Sequence, residues 1–143
     1  MTTAQAELKK ELIFPQLSYQ IIGAAFSVFN ELGWGLPEKD YQRALERELG
    51  ENRILYKREV YIPISYKGQR LSKYFADFVI EGGEGKILLE LKVVSKLGYS
   101  HARQTLTYLK ASGLRLGILI YFTEEGVKYR RVLNSTEPIR IIK

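Results

Sequence analysis

Asp77 is followed thirteen residues later by Glu90-Leu91-Lys92, with a Gly-rich stretch, Glu81-Gly-Gly-Glu-Gly-Lys86, between them. Two carboxylates and an ammonium are the groups that could hold a cation, provided that the fold brings them together. Both flanks read as strands, Tyr74 to Ile80 and Ile87 to Val94, and a short Gly-containing loop between apolar runs predicts a hairpin. Pairing Ile80 with Ile87 without a bulge sets Asp77 opposite Glu90, where Cβ atoms lie roughly 5 Å apart. The period of two returns Lys92 to that face and sends Leu89, Leu91 and Val93 to the other. Two carboxylates opposed on so apolar a strand repel each other, and a cation between them resolves the cost.

A lone Glu-x-Lys on a strand is commonly a surface ion pair. The apolar flanks, the register that adds Asp77, and further polar groups argue for a site instead. Glu38 falls in the first turn of an expected helix, where free N–H groups favour negative charge, with Tyr41 and Leu45 on the same side. A later helix carries Gln104 and Tyr108 at i and i+4. On a helical wheel Ala102, Leu106 and Leu109 form the expected core stripe, Arg103, Thr107 and Lys110 an outer face, and Gln104 with Tyr108 a polar ridge beside the core. Gln and Tyr supply neutral donors that can hold a phosphate oxygen or orient a carboxylate.

Composition narrows the chemistry. The 143 residues suit one domain, 1–143, with a tail over about residues 1–13. With no cysteine and only His101, thiolate zinc sites, disulfides and multi-histidine centres are excluded. Any catalytic metal must be held mainly by oxygen, which favours Mg²⁺, with Mn²⁺ the alternative ion. The N-terminus lacks the apolar core of a signal peptide, and no apolar run is long enough to span a membrane, so a cytoplasmic location is expected. The formal charge of +6 is compatible with a polyanionic partner. Basic groups such as Arg58, Arg70 and Lys73 are interleaved with tyrosines after residue 50, although tyrosines are also strand formers with buried rings.

The elements that must position these groups follow from periodicity and punctuation. An apolar stripe from Leu17 to Leu32 predicts a helix ended by Gly33, and a second helix runs from Pro37 to about Leu49 before Gly50. Strands are expected at 54–66, 71–80, 87–94, 116–122 and 127–133, with Pro63 marking an edge or bulge. A third helix spans about 101–111. The order α-α-β-β-β-α-β-β describes an α/β (α+β) fold in which helices flank a mixed central sheet. The β-α-β crossover makes 116–122 parallel to 87–94.

Taken together, these motifs resemble a known family. Gly35-Leu-Pro-Glu38-Lys-Asp-Tyr41 matches the signature of the GxxExxY proteins. Gly23-Ala-Ala-Phe26, Val60-Tyr-Ile-Pro-Ile-Ser-Tyr-Lys-Gly68, Leu89-Glu-Leu-Lys92 and Gln104-Thr-Leu-Thr-Tyr108 resemble that family too, over about residues 14–134. The resemblance implies a restriction-endonuclease-like core of the PD-(D/E)xK nuclease superfamily, hydrolysing phosphodiester bonds in nucleic acid, with DNA the expected polymer. By the same resemblance Asp77, Glu90, the Leu91 carbonyl and Glu38 hold Mg²⁺. Lys92 acts at the attacking water or scissile phosphate, and Gln104 and Tyr108 position substrate or carboxylates. Lys96, Arg103 and Lys110 are expected to line a nucleic-acid groove, and a homodimer would enlarge the grip of one small domain. Phe29 stands where many relatives carry a His, so any role of that His is absent. The alternative is a non-cleaving nucleic-acid-binding or protein-interaction module that retains the fold.

Overall fold

The computed structural model describes residues 13–95 and 100–134. Helices α1 (Pro15–Leu32) and α2 (Glu38–Glu51) come first, then strands β1 (Leu55–Tyr66), β2 (Gln69–Gly82) and β3 (Gly85–Val93). Helix α3 (Ser100–Ser112) and strands β4 (Leu116–Thr123) and β5 (Gly126–Leu133) complete the expected order. The strands form one sheet in sequence order; β3 and β4 are parallel and every other pair antiparallel. The β3-α3-β4 crossover accounts for the single parallel pair.

The helix and strand ends differ little from expectation. Pro15 opens α1, where its missing N–H costs nothing, and the Gly33 N–H closes the helix on the Phe29 carbonyl at 2.8 Å. Pro37 precedes α2 rather than starting it, and α2 continues through Gly50 to Glu51. Pro63 lies on β1, an edge strand, with a register shift after Ile64.

Two cores sandwich the sheet. Leu17, Ile21 and Ala25 of α1 and Tyr41, Leu45 and Leu49 of α2 pack on Phe78, Ile80, Leu89, Leu91, Ile118 and Ile120. On the opposite face, Tyr108 and Leu109 of α3 meet Ile62, Ala76 and Leu88. The wheel reading of α3 is therefore corrected. Its inward side is Thr105, Tyr108 and Leu109, whereas Ala102 and Leu106 are only half-buried. The reason is a close approach at Gly117 on β4. A Cβ there would come within 2.7 Å of Thr105 Cγ2, so the helix seats on the strand through its threonine. Apolarity alone could not select that rotation.

A second departure concerns the pleat. Arg58 pairs with Phe78 and Val60 with Ala76, yet Phe78 lies in the α1–α2 core and Ala76 in the α3 core. Residues two apart on a regular strand share a face; here they do not. The inversion sits at Glu59, which takes a left-handed φ of 49°, and at Asp77 beside it on β2. β1 and β2 thus change sides together, and beyond that point they form a long hairpin arm.

Candidate active site

The site lies where β2 leaves β3. The ladder pairs Ile80 with Ile87 as expected but stops at Phe78 and Leu89, so Asp77 and Glu90 are not the ladder pair that the unbroken register predicts. Asp77 instead occupies the opening notch, where its Oδ2 accepts the Leu91 N–H at 2.8 Å. The carboxylate takes the place of the strand carbonyl that the inversion removes. That anchoring fixes the side chain on the sheet and keeps Leu91's backbone satisfied.

Glu90 is only 4% exposed on the central strand. Its carboxyl is pushed up to about 9, first by burial and then by the adjacent Asp77 carboxylate, with Lys92 pulling the other way. Side-chain and backbone hydrogen bonds of Asp77 also bear on this carboxyl, whereas its Oε1 is buried without a hydrogen-bond partner among the described residues. Glu38, half-buried at the start of α2, is also raised: burial comes first, then Asp77, opposed by Lys92. Glu38, Asp77, Glu90 and Lys92 thus share one electrostatic neighbourhood, although they come from α2, β2 and β3.

The third helix borders the same space. Burial pushes the Tyr108 hydroxyl up to about 12, with the neighbouring acidic groups Glu90, Tyr74 and Asp77 adding to the shift. Gln104, one turn earlier, bonds that hydroxyl and lowers it. The Tyr108 ring lies 5.0 Å from that of Tyr74. His101, near Lys92, is lowered by burial and by that ammonium. Arg103 and Lys110 are exposed on α3, and Lys96 lies outside the described residues.

Glu38 owes its place to a small lock. Gly35 adopts φ 105°, open to glycine, and this lets the chain turn from α1 into α2. The Tyr41 hydroxyl donates to the Gly33 carbonyl, and the Leu36 N–H reaches the same hydroxyl at 3.4 Å. The Tyr41 ring stacks on Phe122 at 4.4 Å, and Phe29 stacks on the same Phe122 at 6.0 Å. The Gly-x-x-Glu-x-x-Tyr spacing therefore clamps the helix start, and Glu38 with it, onto β4.

Sequence reasoning missed Gln42 and gave Arg58 only as one of the basic groups facing a polyanion, whereas its guanidinium is committed within the protein. Arg58 Nε donates to the Asp77 carbonyl at 3.0 Å, one terminal nitrogen to Gln42 Oε1 at 3.0 Å, and the other pairs with Glu46 at 3.1 Å. Its guanidinium also lies 4.4 Å over the Phe78 ring. Gln42 in turn donates to Glu38 at 3.3 Å. One cation thus ties the backbone of Asp77 to the helix that carries Glu38. The i,i+4 spacing of Glu38 and Gln42 could have revealed half of this link; Arg58 had no local signal.

The donors suit a hard divalent cation. Glu90 offers a buried oxygen with no partner, beside a second carboxylate. Among the described residues no three Asp, Glu or His side chains are close enough to form a ready-made metal cage. An ion gripped by one or two carboxylates and otherwise hydrated, the habit of Mg²⁺, fits this arrangement better than an all-protein cage.

Residues 15–132 match the family described as the PD-(D/E)XK nuclease superfamily. The crystal structure of SSO0001 resembles the chain with a TM-score of 0.58 and 22% identity, over 69% of this chain and 52% of that one. The present chain therefore spans about half of that protein, and the likeness at this identity is one of fold. No curated protein matches the chain. Among the described residues no helix is long and apolar enough to cross a membrane.

Proposed function

Since the chain belongs to the PD-(D/E)XK nuclease superfamily, we propose that its notch hydrolyses phosphodiester bonds in nucleic acid, DNA being the expected polymer, with Mg²⁺ or Mn²⁺ as cofactor. The Gly35–Tyr41 motif further suggests membership of the GxxExxY proteins. The observation that carries the reading is Glu90: a carboxyl buried on a central strand beside Asp77, with an oxygen that nothing in the described protein satisfies.

In this reading Asp77 and Glu90 hold the cation, and Glu38 completes its surroundings directly or through water. The Leu91 carbonyl is a consistent third donor. In an extended residue the N–H and C=O point to the same side, and the Leu91 N–H points at Asp77. The cation supplies positive charge at the phosphate and acidifies water. Lys92, returned to the Glu90 face by the strand period, stabilises the negative charge that develops at phosphorus or assists deprotonation of the attacking water. Gln104 and Tyr108 orient the substrate or the carboxylates; Tyr108, with its raised hydroxyl, remains a hydrogen-bond donor at neutral pH.

The test is incubation of the protein with supercoiled, linear, single-stranded and branched DNA, and with RNA, with and without Mg²⁺ or Mn²⁺. Metal-dependent cleavage, abolished by Asp77→Asn, supports the reading. Absence of both metal-dependent cleavage and metal-dependent thermal stabilisation would replace it with a non-cleaving binding module.

A further inference from the structure

Beyond the inversion at Glu59 and Asp77, the β1–β2 arm leaves one face outside both cores. Tyr61 and Phe75, partners across the ladder, are 43% and 53% exposed, with ring centroids 5.8 Å apart. Arg70 lies 5.9 Å over the Tyr61 ring. From Val60 to Ala76 the chain contains Lys67, Arg70 and Lys73 and no Asp or Glu. The other face of the same arm is covered, because Val60, Ile62 and Ile64 pack with Tyr108 and Leu109 of α3. The aromatic face is thus exposed on an arm that is anchored from behind.

Exposed aromatic rings interleaved with cations, on a segment without acidic residues, form a surface complementary to an unpaired polynucleotide. Each flat face can stack on a base, while the cations neutralise phosphates. A duplex hides its base faces and offers such a surface only its phosphates. The arm starts at the residue that carries the site, since Asp77 follows Ala76 directly. We infer that this arm binds single-stranded nucleic acid by stacking its bases on Tyr61 and Phe75, and so selects unpaired substrate for the adjacent notch. The cleavage step of this inference rests on the nuclease reading, whereas the binding itself can be measured apart from cleavage.

The experiment is fluorescence anisotropy in EDTA, where no cleavage interferes, with three probes of about ten nucleotides: an oligothymidylate, an abasic strand of the same length, and a duplex. The oligothymidylate is expected to bind about tenfold or more tighter than the abasic strand, which keeps the phosphates but lacks bases. The Tyr61→Leu/Phe75→Leu variant preserves apolar bulk while removing both ring faces. It should bring oligothymidylate binding down to the abasic level and leave abasic binding unchanged, with an unaltered circular dichroism spectrum. Equal affinity for the oligothymidylate and abasic strands, tighter binding of the duplex, or an unaffected double-leucine variant overturns the inference. So does a dimer in sedimentation that the double-leucine variant turns into a monomer, because a second copy would then be what covers the face. Cleavage of duplex in Mg²⁺ without base-dependent binding would sink this inference and spare the nuclease reading. Base-dependent binding without cleavage of any probe would do the opposite.

Discussion

Arg58 donates from Nε to the backbone carbonyl of Asp77 at 3.0 Å. The strand residue that carries the notch carboxylate is therefore held by a cation whose other nitrogens grip Gln42 and Glu46 of α2. The two carboxylates contributed by separate elements, Asp77 and Glu38, are coupled through this one guanidinium and the Gln42 amide.

Arg58→Ala should cost about 2 kcal/mol of stability, because it strips charged hydrogen bonds from three half-buried partners. Metal affinity and cleavage should also fall well below the melting temperature, as Asp77 and Glu38 lose their common reference. Arg58→Lys should restore little, since an ammonium cannot span the forked contacts. Calorimetry and metal titration of both variants check this. Normal metal affinity in folded Arg58→Ala would reduce the residue to a brace.

Asp77→Asn keeps an oxygen able to accept the Leu91 N–H, so the fold should stand while the site loses a full negative charge. Metal affinity and cleavage should collapse, and at high pH, where Glu90 would otherwise be charged beside Asp77, the metal-free variant should melt no lower than wild type. Lys92→Ala should spare metal binding yet slow cleavage about a hundredfold or more, close to 3 kcal/mol of transition-state stabilisation. A structural ion pair would give the reverse pattern, with both variants unstable and Mg²⁺ without effect.

The Glu90 carboxyl makes a pH prediction whose sign is opposite to that of an ordinary paired carboxylate. Its value rises from 4.5 to about 9 on folding, so between those limits the folded state binds more protons than the unfolded one. Stability of the metal-free protein should therefore be greatest below about pH 4.5 as far as this group is concerned, and fall as pH rises towards 9. Glu90→Gln should flatten that descent. Saturating Mg²⁺ should offset it, because the ion binds the deprotonated form. Melting temperature against pH for the two proteins, with and without Mg²⁺, is the measurement. Parallel wild-type and Glu90→Gln profiles would count against the assignment.

Gly117→Ala should destabilise by about 1–3 kcal/mol, through overpacking against the buried Thr105 methyl. Because α3 carries Gln104 and Tyr108, cleavage should weaken alongside. Gly117→Ala combined with Thr105→Ser, which removes that methyl, should recover most of the loss in thermal melts.

The amino-acid sequence by itself determined the order of elements, the Ile80–Ile87 register and the apolar face of Leu89 and Leu91. These depend on local periodicity and turn chemistry, which a single segment carries. It also exposed Asp77, Glu90 and Lys92, because charges inside apolar runs are conspicuous, and Glu38 through its place in the first turn of a helix. Only the tertiary structure decided how Asp77 sits, because the inversion at Glu59 and Asp77 requires two strands to change sides together. Only it decided the rotation of α3, where the space above Gly117 outweighs the apolarity of Ala102 and Leu106. Arg58 shows the same division. In the chain it is one basic residue among many, and its role arises when α2 and β2 bring Gln42, Glu46 and the Asp77 carbonyl within reach of a single planar cation.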